Sequence, residues 1–227
     1  MTPRWPEGSR ARMAHAIILV LLLAILTFVL GFRIIASYIF APEEVVWDGS
    51  ASSLVVALIL GTLSFVVILW FGLLRVGRLR FQDLGWRTAA CGPTAMQGLL
   101  GFIVALAVVL GISVIGGAAL PDLLATLAQY TWKQRCLFFI IGVNAALIEE
   151  SLFRGYLQPV FIKRLGTSSG ILATAVIFAF YHLNFSLMGL SGKLLLGLIY
   201  GVLRDKTNSL LPAGIAHFLV WFVIGSL

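Results

Sequence analysis

The chain has 227 residues, 60% of them apolar and 11% charged, with a mean hydropathy of +1.04; a soluble domain carries roughly 25% charged residues, so composition excludes one and requires an integral membrane protein. A net charge of +7 would suggest nucleic acid in a soluble chain, but here the basic residues form short clusters between apolar runs, where they set topology, and no nucleic-acid partner is expected. Two cysteines, Cys91 and Cys136, exclude a disulfide framework and a cysteine-rich metal site.

A hydrocarbon core about 30 Å thick takes roughly 20 apolar residues to cross as a helix. Apolar segments at 14–40, 51–74, 96–120, 136–162, 168–188, 191–203 and 209–227 therefore predict an all-α bundle of about seven transmembrane helices. The first follows a basic stretch, but its apolar run is longer than that of a signal peptide, and it reads as a retained helix. Between the second and third, "LRVGRLRFQDLGWRTAACGPTAM" mixes Arg with Leu, Phe and Trp. It reads as a segment along the interface, arginines toward phosphates and aromatics toward acyl chains, or as a topology anchor alone. Pro159 is expected to bend the fourth helix. The sixth segment, "SGKLLLGLIYGVL", is too short to cross untilted. No internal repeat or second domain is visible: residues 1–135 supply the N-terminal transmembrane helices and interfacial segment, and residues 136–227 the remainder of the same bundle.

Charge sets the orientation. Arg4, Arg10 and Arg12 precede the first span, Arg75, Arg78, Arg80 and Arg87 follow the second, Lys163 and Arg164 the fourth, and Arg204 and Lys206 the sixth, all on one side. The opposite loops carry Arg33, Lys133, Arg135 and Lys193 with the acidic patch Glu43, Glu44 and Asp48. The positive-inside rule then places the N-terminus in the cytoplasm and the C-terminus outside, as expected of a multi-pass protein of a bacterial inner membrane.

Against this background three polar sites stand out. A charged side chain at mid-bilayer costs at least about 2.5–3.5 kcal/mol, and such residues usually face the bundle interior and carry function. The sites are Glu149, Glu150 and Arg154 in "NAALIEESLFRGYLQPVF", His182 in "AVIFAFYHLNFSL" and His217 in "LPAGIAHFLVWF". At 1.5 Å per residue from the nearest cytoplasmic anchor, Glu149, His182 and His217 all come to roughly 15–21 Å depth, near one level. Glu150 and Arg154 are i and i+4 in the favourable order, and read as a mutually neutralising pair. Glu149 is about 100° round the helix from Glu150 and so is left to face a cavity as the reactive carboxylate. A Glu and two His at one depth support two chemistries. Glu149 can deprotonate a water held by His182, with His217 donating to the oxyanion of a peptide carbonyl. Alternatively Glu149, His182 and His217 ligate zinc, with water in the open position, although no HExxH spacing is present. Any of these polar groups taken singly could instead serve only as an interhelical contact; Asn144 and Asn184 are read that way.

Three motifs in order, "EESLFR" (Glu149 to Arg154), "FAFYH" (Phe178 to His182) and "HFLVW" (His217 to Trp221), together with "GLIYGVLRDKTNSLLPAGIAHF", resemble the CPBP family, which includes CAAX prenyl endopeptidases, bacteriocin-processing and immunity (Abi) proteins and lysostaphin-resistance-like proteins. The resemblance covers residues 136–222. It implies that 136–227 is the catalytic core of a glutamate-dependent intramembrane endopeptidase without a cofactor, in which Glu149 activates water, His182 is its partner and His217 stabilises the oxyanion, with Glu150 and Arg154 in support. Where the family often has Asn or Asp four residues after the last His, this chain has Trp221, whose indole N–H donates but cannot accept, so the oxyanion would be held by Trp221, a backbone group or His217 alone. The expected substrate is a membrane-associated or lipidated peptide or protein, cut near a C-terminal or membrane-proximal signal. The expectation competes with a zinc peptidase using the same three residues and with a non-enzymatic immunity or assembly factor. A transporter would more usually show repeated halves.

Overall fold

The computed structural model describes residues 3–27, 51–87 and 91–225. The second half of the first span, and Arg33, Glu43, Glu44 and Asp48 of the outer loop, lie outside them. All regular structure among the described residues is helical. In chain order the helices are α1 (Arg10–Ala24), α2 (Ala51–Ser64, continued with π-type bonding over Phe65–Val76), α3 (Phe81–Leu84), α4 (Cys91–Ile115), α5 (Leu120–Gln129), α6 (Trp132–Leu165), α7 (Thr167–Tyr181), α8 (Leu187–Thr207) and α9 (Leu211–Ile224). Segments Arg10–Thr27, Leu54–Val76, Cys91–Ile115, Trp132–Leu165 and Leu187–Thr207 are long and apolar enough to cross a membrane, and Thr167–Tyr181 and Leu211–Ile224 are shorter apolar helices. The protein is an all-α integral membrane bundle.

The boundary between the fifth and sixth segments falls earlier than hydropathy indicates. The chain leaves α7 at His182, Leu183 takes the left-handed conformation at φ 53°, and Ser186 caps α8, its Oγ accepting the Gly189 N–H at 3.0 Å. The apolar run through residue 188 hides this break because no Gly or Pro marks it. The sixth helix consequently has 21 residues, full spanning length, in place of the short segment expected. Lys193 therefore belongs to α8 and not to an outer loop. The sequence also gave no separate sign of the short helix α5.

α6 is one continuous run in which α-helical turns at Trp132–Asn144 and Gln158–Leu165 flank π-type turns at Ala145–Glu149 and Ser151–Leu157. The effect expected at Pro159 thus appears as altered bonding on its N-terminal side: the proline has no N–H and crowds the carbonyl four residues back, and the Gln158 N–H reaches five residues back to Phe153 O. Such wide turns inside α-helices recur at functional sites. Residues 151–157 are all buried, so α6 is the central helix of the bundle.

The segment between α2 and α4 packs against the bundle. Leu79 and Leu84 are buried, Trp86 packs against the core and its Nε1–H donates to Ser151 Oγ of α6 at 2.8 Å. Burying the indole there gains apolar contact and satisfies its one donor at once. Arg80 pairs with Asp83 at 3.1 Å, and Arg87 Nη2 donates to Asn208 Oδ1 at 2.7 Å. The half-buried Asp83 carboxyl sits below the usual range because Arg80 hydrogen-bonds to it.

Long-range bonds gather the basic clusters at one end of the bundle. The Arg4 N–H donates to Gly77 O at 3.0 Å, the Leu210 N–H to Gly85 O at 2.8 Å and Arg164 Nε to Gly8 O at 2.8 Å. Arg12, expected as a cytoplasmic anchor, is buried within α1 with its guanidinium 4.6 Å from the Tyr156 ring centroid. At the other end Arg135 Nη1 holds the Phe222 and Val223 carbonyls at 2.8 and 2.9 Å, fixing the start of α6 to the end of α9.

The α6–α7 turn depends on close backbone approach. A Cβ on Gly170 would lie 2.7 Å from Ile162 Cα, whereas one on Gly92 would meet nothing within 4 Å. Gly170→Ala is expected to lower stability by about 1–3 kcal/mol through overpacking, while Gly92→Ala is neutral or slightly stabilising; thermal unfolding of the two purified variants in one detergent checks the contrast.

Candidate active site

The site is assembled from α6, the end of α7, α8 and α9, and it has two adjoining parts. In the first, Glu150 and Arg154 face each other one turn apart on α6, both side chains fully buried, with Arg154 Nη1 donating to Glu150 Oε1 at 3.1 Å. His217 of α9 reaches the same oxygen, its Nδ1 lying 2.7 Å from Glu150 Oε1. A carboxylate oxygen accepts, so Nδ1 carries the proton in this contact. The His217 ring stacks on Tyr200 of α8, centroids 4.7 Å apart. Arg154 Nη2 also donates to Gly197 O at 3.3 Å, and its guanidinium lies over the Phe178 ring at 4.1 Å and the Tyr200 ring at 5.3 Å. One turn further along, Gln158 Nε2 donates to Gly201 O at 3.0 Å. Two α6 side chains four apart thus bond two α8 carbonyls four apart. Glycine suits the seam because a Cβ on Gly197 would crowd α7, lying 3.0 Å from Ala175 Cα.

The second part is a cavity of about 340 Å³ between α1, α2, α6, the end of α7, α8 and α9. Glu149, His182 and Trp221 line it, with Asn144, Tyr181, Asn184 and Lys193. The step of about 100° between neighbouring residues separates the two carboxylates, Glu150 to the buried network and Glu149 to the cavity. Tyr181 Oη donates to Glu149 Oε1 at 3.1 Å, while Glu149 Oε2 has no hydrogen-bond partner among the described residues. His182 ends α7, and its Nδ1 lies 2.7 Å from Phe178 O. The carbonyl accepts, so Nδ1 holds the proton and Nε2 is the acceptor nitrogen.

His217 does not line the cavity with Glu149 and His182. Its polar partner is Glu150, and the Phe178 ring packs near both histidines, its centroid 4.7 Å from that of His182 and 6.1 Å from that of His217. Among the described residues no three His, Cys, Asp or Glu side chains gather as metal ligands. Asn144 packs against Gly61 of α2, donates to Ile140 O at 3.0 Å and also faces the cavity. Asn184, expected as an interhelical contact, instead accepts from the Ser186 N–H at 3.2 Å.

Three residues of the site, and one contact between residues, escape sequence reasoning. Tyr181 and Tyr200 look like ordinary core aromatics. The partnership of Glu150 with His217 depends on how α9 leans on α6. Lys193 is lost with the misplaced start of α8; moving that start back to the Ser186 cap would have recovered it.

Residues 131–223 match the model of a family described as Type II CAAX prenyl endopeptidase Rce1-like. The match begins at the cap of α6 and ends within α9, so it takes in every site residue named above except those contributed by α1 and α2. No curated protein and no solved structure matches the chain.

Removing one member of a fully buried ion pair leaves the other uncompensated, at a cost of about 3–5 kcal/mol. Arg154→Met is accordingly expected to lower the yield of folded protein sharply, whereas the double variant Glu150→Gln/Arg154→Met recovers part of the loss. Thermal unfolding of single and double variants measures the coupling.

Proposed function

We propose that this chain, whose residues 131–223 match the Rce1-like CAAX endopeptidase family model, is an intramembrane endopeptidase in which Glu149 activates the hydrolytic water. The observation that carries the reading is that Glu149 and His182 line one cavity. Tyr181 occupies Glu149 Oε1 and leaves Oε2 to act; the bond to Phe178 O makes the His182 Nε2 an acceptor.

The mechanism follows from those lone pairs. A water donating one hydrogen to Glu149 Oε2 and the other to His182 Nε2 presents its oxygen to a substrate carbonyl. Glu149 takes the first proton as the C–O bond forms, and the carbonyl oxygen becomes an oxyanion. The intermediate then expels the amine, which receives that proton from Glu149, so both products leave neutral overall and the carboxylate is restored. Asn144 and Trp221 on the cavity wall are donors suited to the oxyanion. His217 is the third member of the proposed set, held in place by its Nδ1–H, which donates to Glu150 Oε1 at 2.7 Å. Tyr181 and the Glu150–Arg154 pair position these groups.

The substrate is a membrane-associated peptide or protein cut near a C-terminal or membrane-proximal signal, as a cavity inside a membrane bundle suits. With the basic end of the bundle in the cytoplasm under the positive-inside rule, the cavity is reached within the bilayer or from its edge.

Glu149→Gln is expected to reduce cleavage at least about 10³-fold while insertion and thermal stability stay at the wild-type level, the pattern of a group acting only in the transition state. Comparing the membrane proteomes of wild-type and Glu149→Gln cells should reveal one accumulating precursor. Cleavage of that precursor should survive strong chelators. Full cleavage by the variant would overturn the mechanism, chelator sensitivity would move it to a metallopeptidase, and an intact cellular phenotype in both Glu149→Gln and His182→Ala would identify a non-enzymatic membrane factor.

A further inference from the structure

Lys193 is charged, lines the same cavity as Glu149 and takes no part in the mechanism above. It is the one Lys or Arg side chain among the described residues on that wall; much of the rest is aliphatic or aromatic, including Leu23, Leu60, Phe138, Ile141 and Ile148. Counted from Arg204 at the basic end of α8, Lys193 lies eleven residues along the helix, a depth of roughly 16 Å and so near the level of Glu149. An ammonium at that depth has a large desolvation cost and persists where it has a partner or a task.

Among the described residues no acidic side chain closes into contact with it. Lys193 forms no ion pair and no hydrogen bond among the described residues: it is absent from the pairs made by Glu7, Asp83 and Glu150, and Glu149 Oε2 is left unbonded beside it. Glu149 and Lys193 feel each other electrostatically across the cavity without closing into contact. Its Nζ lies 5.8 Å from the centroid of the Trp221 ring, an aromatic face that holds a cation while leaving its three donors directed elsewhere. The N-terminal end of α8, with Asn184 on the cavity wall, adds the positive end of a 21-residue helix to the same region.

An apolar chamber with one carboxylate at the reacting centre and one unpaired ammonium on the wall is complementary to a short apolar peptide carrying one negative charge. A peptide can bring such a charge without any acidic side chain only at its C-terminus. We infer that Lys193 binds the free C-terminal carboxylate of the substrate, so that the enzyme selects chains that end inside the cavity over chains that pass through it. The inference rests on the peptidase reading and adds a specificity residue to it. It also gives Trp221 a second use, as the surface that keeps the Lys193 ammonium facing the chamber. A charge-assisted hydrogen bond to a desolvated carboxylate distinguishes acid from amide by about 10- to 100-fold.

The test measures binding and needs no bond cleavage, so it stands or falls separately from the Glu149→Gln experiment. Full-length protein in lipid nanodiscs is titrated with an N-acetylated tetrapeptide of leucine as the free acid and as the C-terminal amide, with empty nanodiscs subtracted for partition into lipid. Wild type should bind the acid about 10- to 100-fold more tightly than the amide. Lys193→Gln should bring that ratio close to one and Lys193→Arg should keep most of it, each variant first being shown to unfold at the wild-type temperature; if Lys193→Gln fails to fold, Lys193→Met replaces it. Equal binding of acid and amide by wild type, no saturable binding of either, or a preference that survives loss of the ammonium would each overturn the inference. A loss of binding for acid and amide alike in Lys193→Gln would also overturn it, since that pattern belongs to a residue that only maintains the cavity.

Discussion

Everything in this bundle is arranged around a carboxylate placed where neither water nor lipid can solvate it. Glu150 is fully buried at the middle of α6, and its Oε1 is shared by Arg154 from the same helix and His217 from α9. Bringing that much charge together without water is tolerable only if each group is satisfied at close range, and the requirement recruits the neighbouring helices. Arg154 is committed to the carbonyl of Gly197 and to the faces of Phe178 and Tyr200, which ties α8 and α7 to α6. His217 carries α9 to the same point. The polar network therefore fixes the relative rotation of four helices, something apolar packing in a bilayer does poorly because lipid tails compete equally for apolar side chains.

That rotation is what gives its neighbour a different existence. Once Glu150 is locked toward α8 and α9, Glu149 has to point toward the chamber beside α1 and α2. Two adjacent identical residues are separated by the helix itself into one that organises and one that is exposed to whatever enters. Wide π-type turns on either side of Glu150 add slack to the same stretch of backbone, so the two side chains need not follow ideal α-helical placement.

Much of this was readable from the chain, and the unread parts share a cause. The i,i+4 relation of Glu150 to Arg154 and the angular displacement of Glu149 are properties of one helix, and local periodicity carries them. The apolar character and the seven helical segments follow from composition. By contrast, the contact of His217 with Glu150, the docking of Trp86 on Ser151 and the position of the Tyr200 ring are relations between helices, which no periodicity encodes. The end of α7 was misplaced because Leu183 adopts a left-handed conformation usually taken by Gly or Asn, and hydropathy cannot see a break made by an apolar residue. Lys193 was hidden by the same error, since a lysine near a supposed segment end looks like a loop residue. Tyr181 and Tyr200 gave no signal, tyrosine being expected in any membrane helix.

The glycine seam between α6 and α8 has a consequence for how such a molecule can change. Positions 197 and 201 admit no side chain without displacing α7 or Gln158, and the α6 residues facing them are bound to their carbonyls. That face of the bundle is closed to variation. The walls contributed by α1 and α2, through residues such as Leu23, Ala57 and Leu60, lie apart from that polar network, so they can be exchanged for other sizes and shapes at the cost of packing alone. Drift in substrate preference is therefore channelled to the N-terminal helices, while the chemistry is inherited through the C-terminal ones, and two such chains could come to share little outside the matched region while keeping the same reaction.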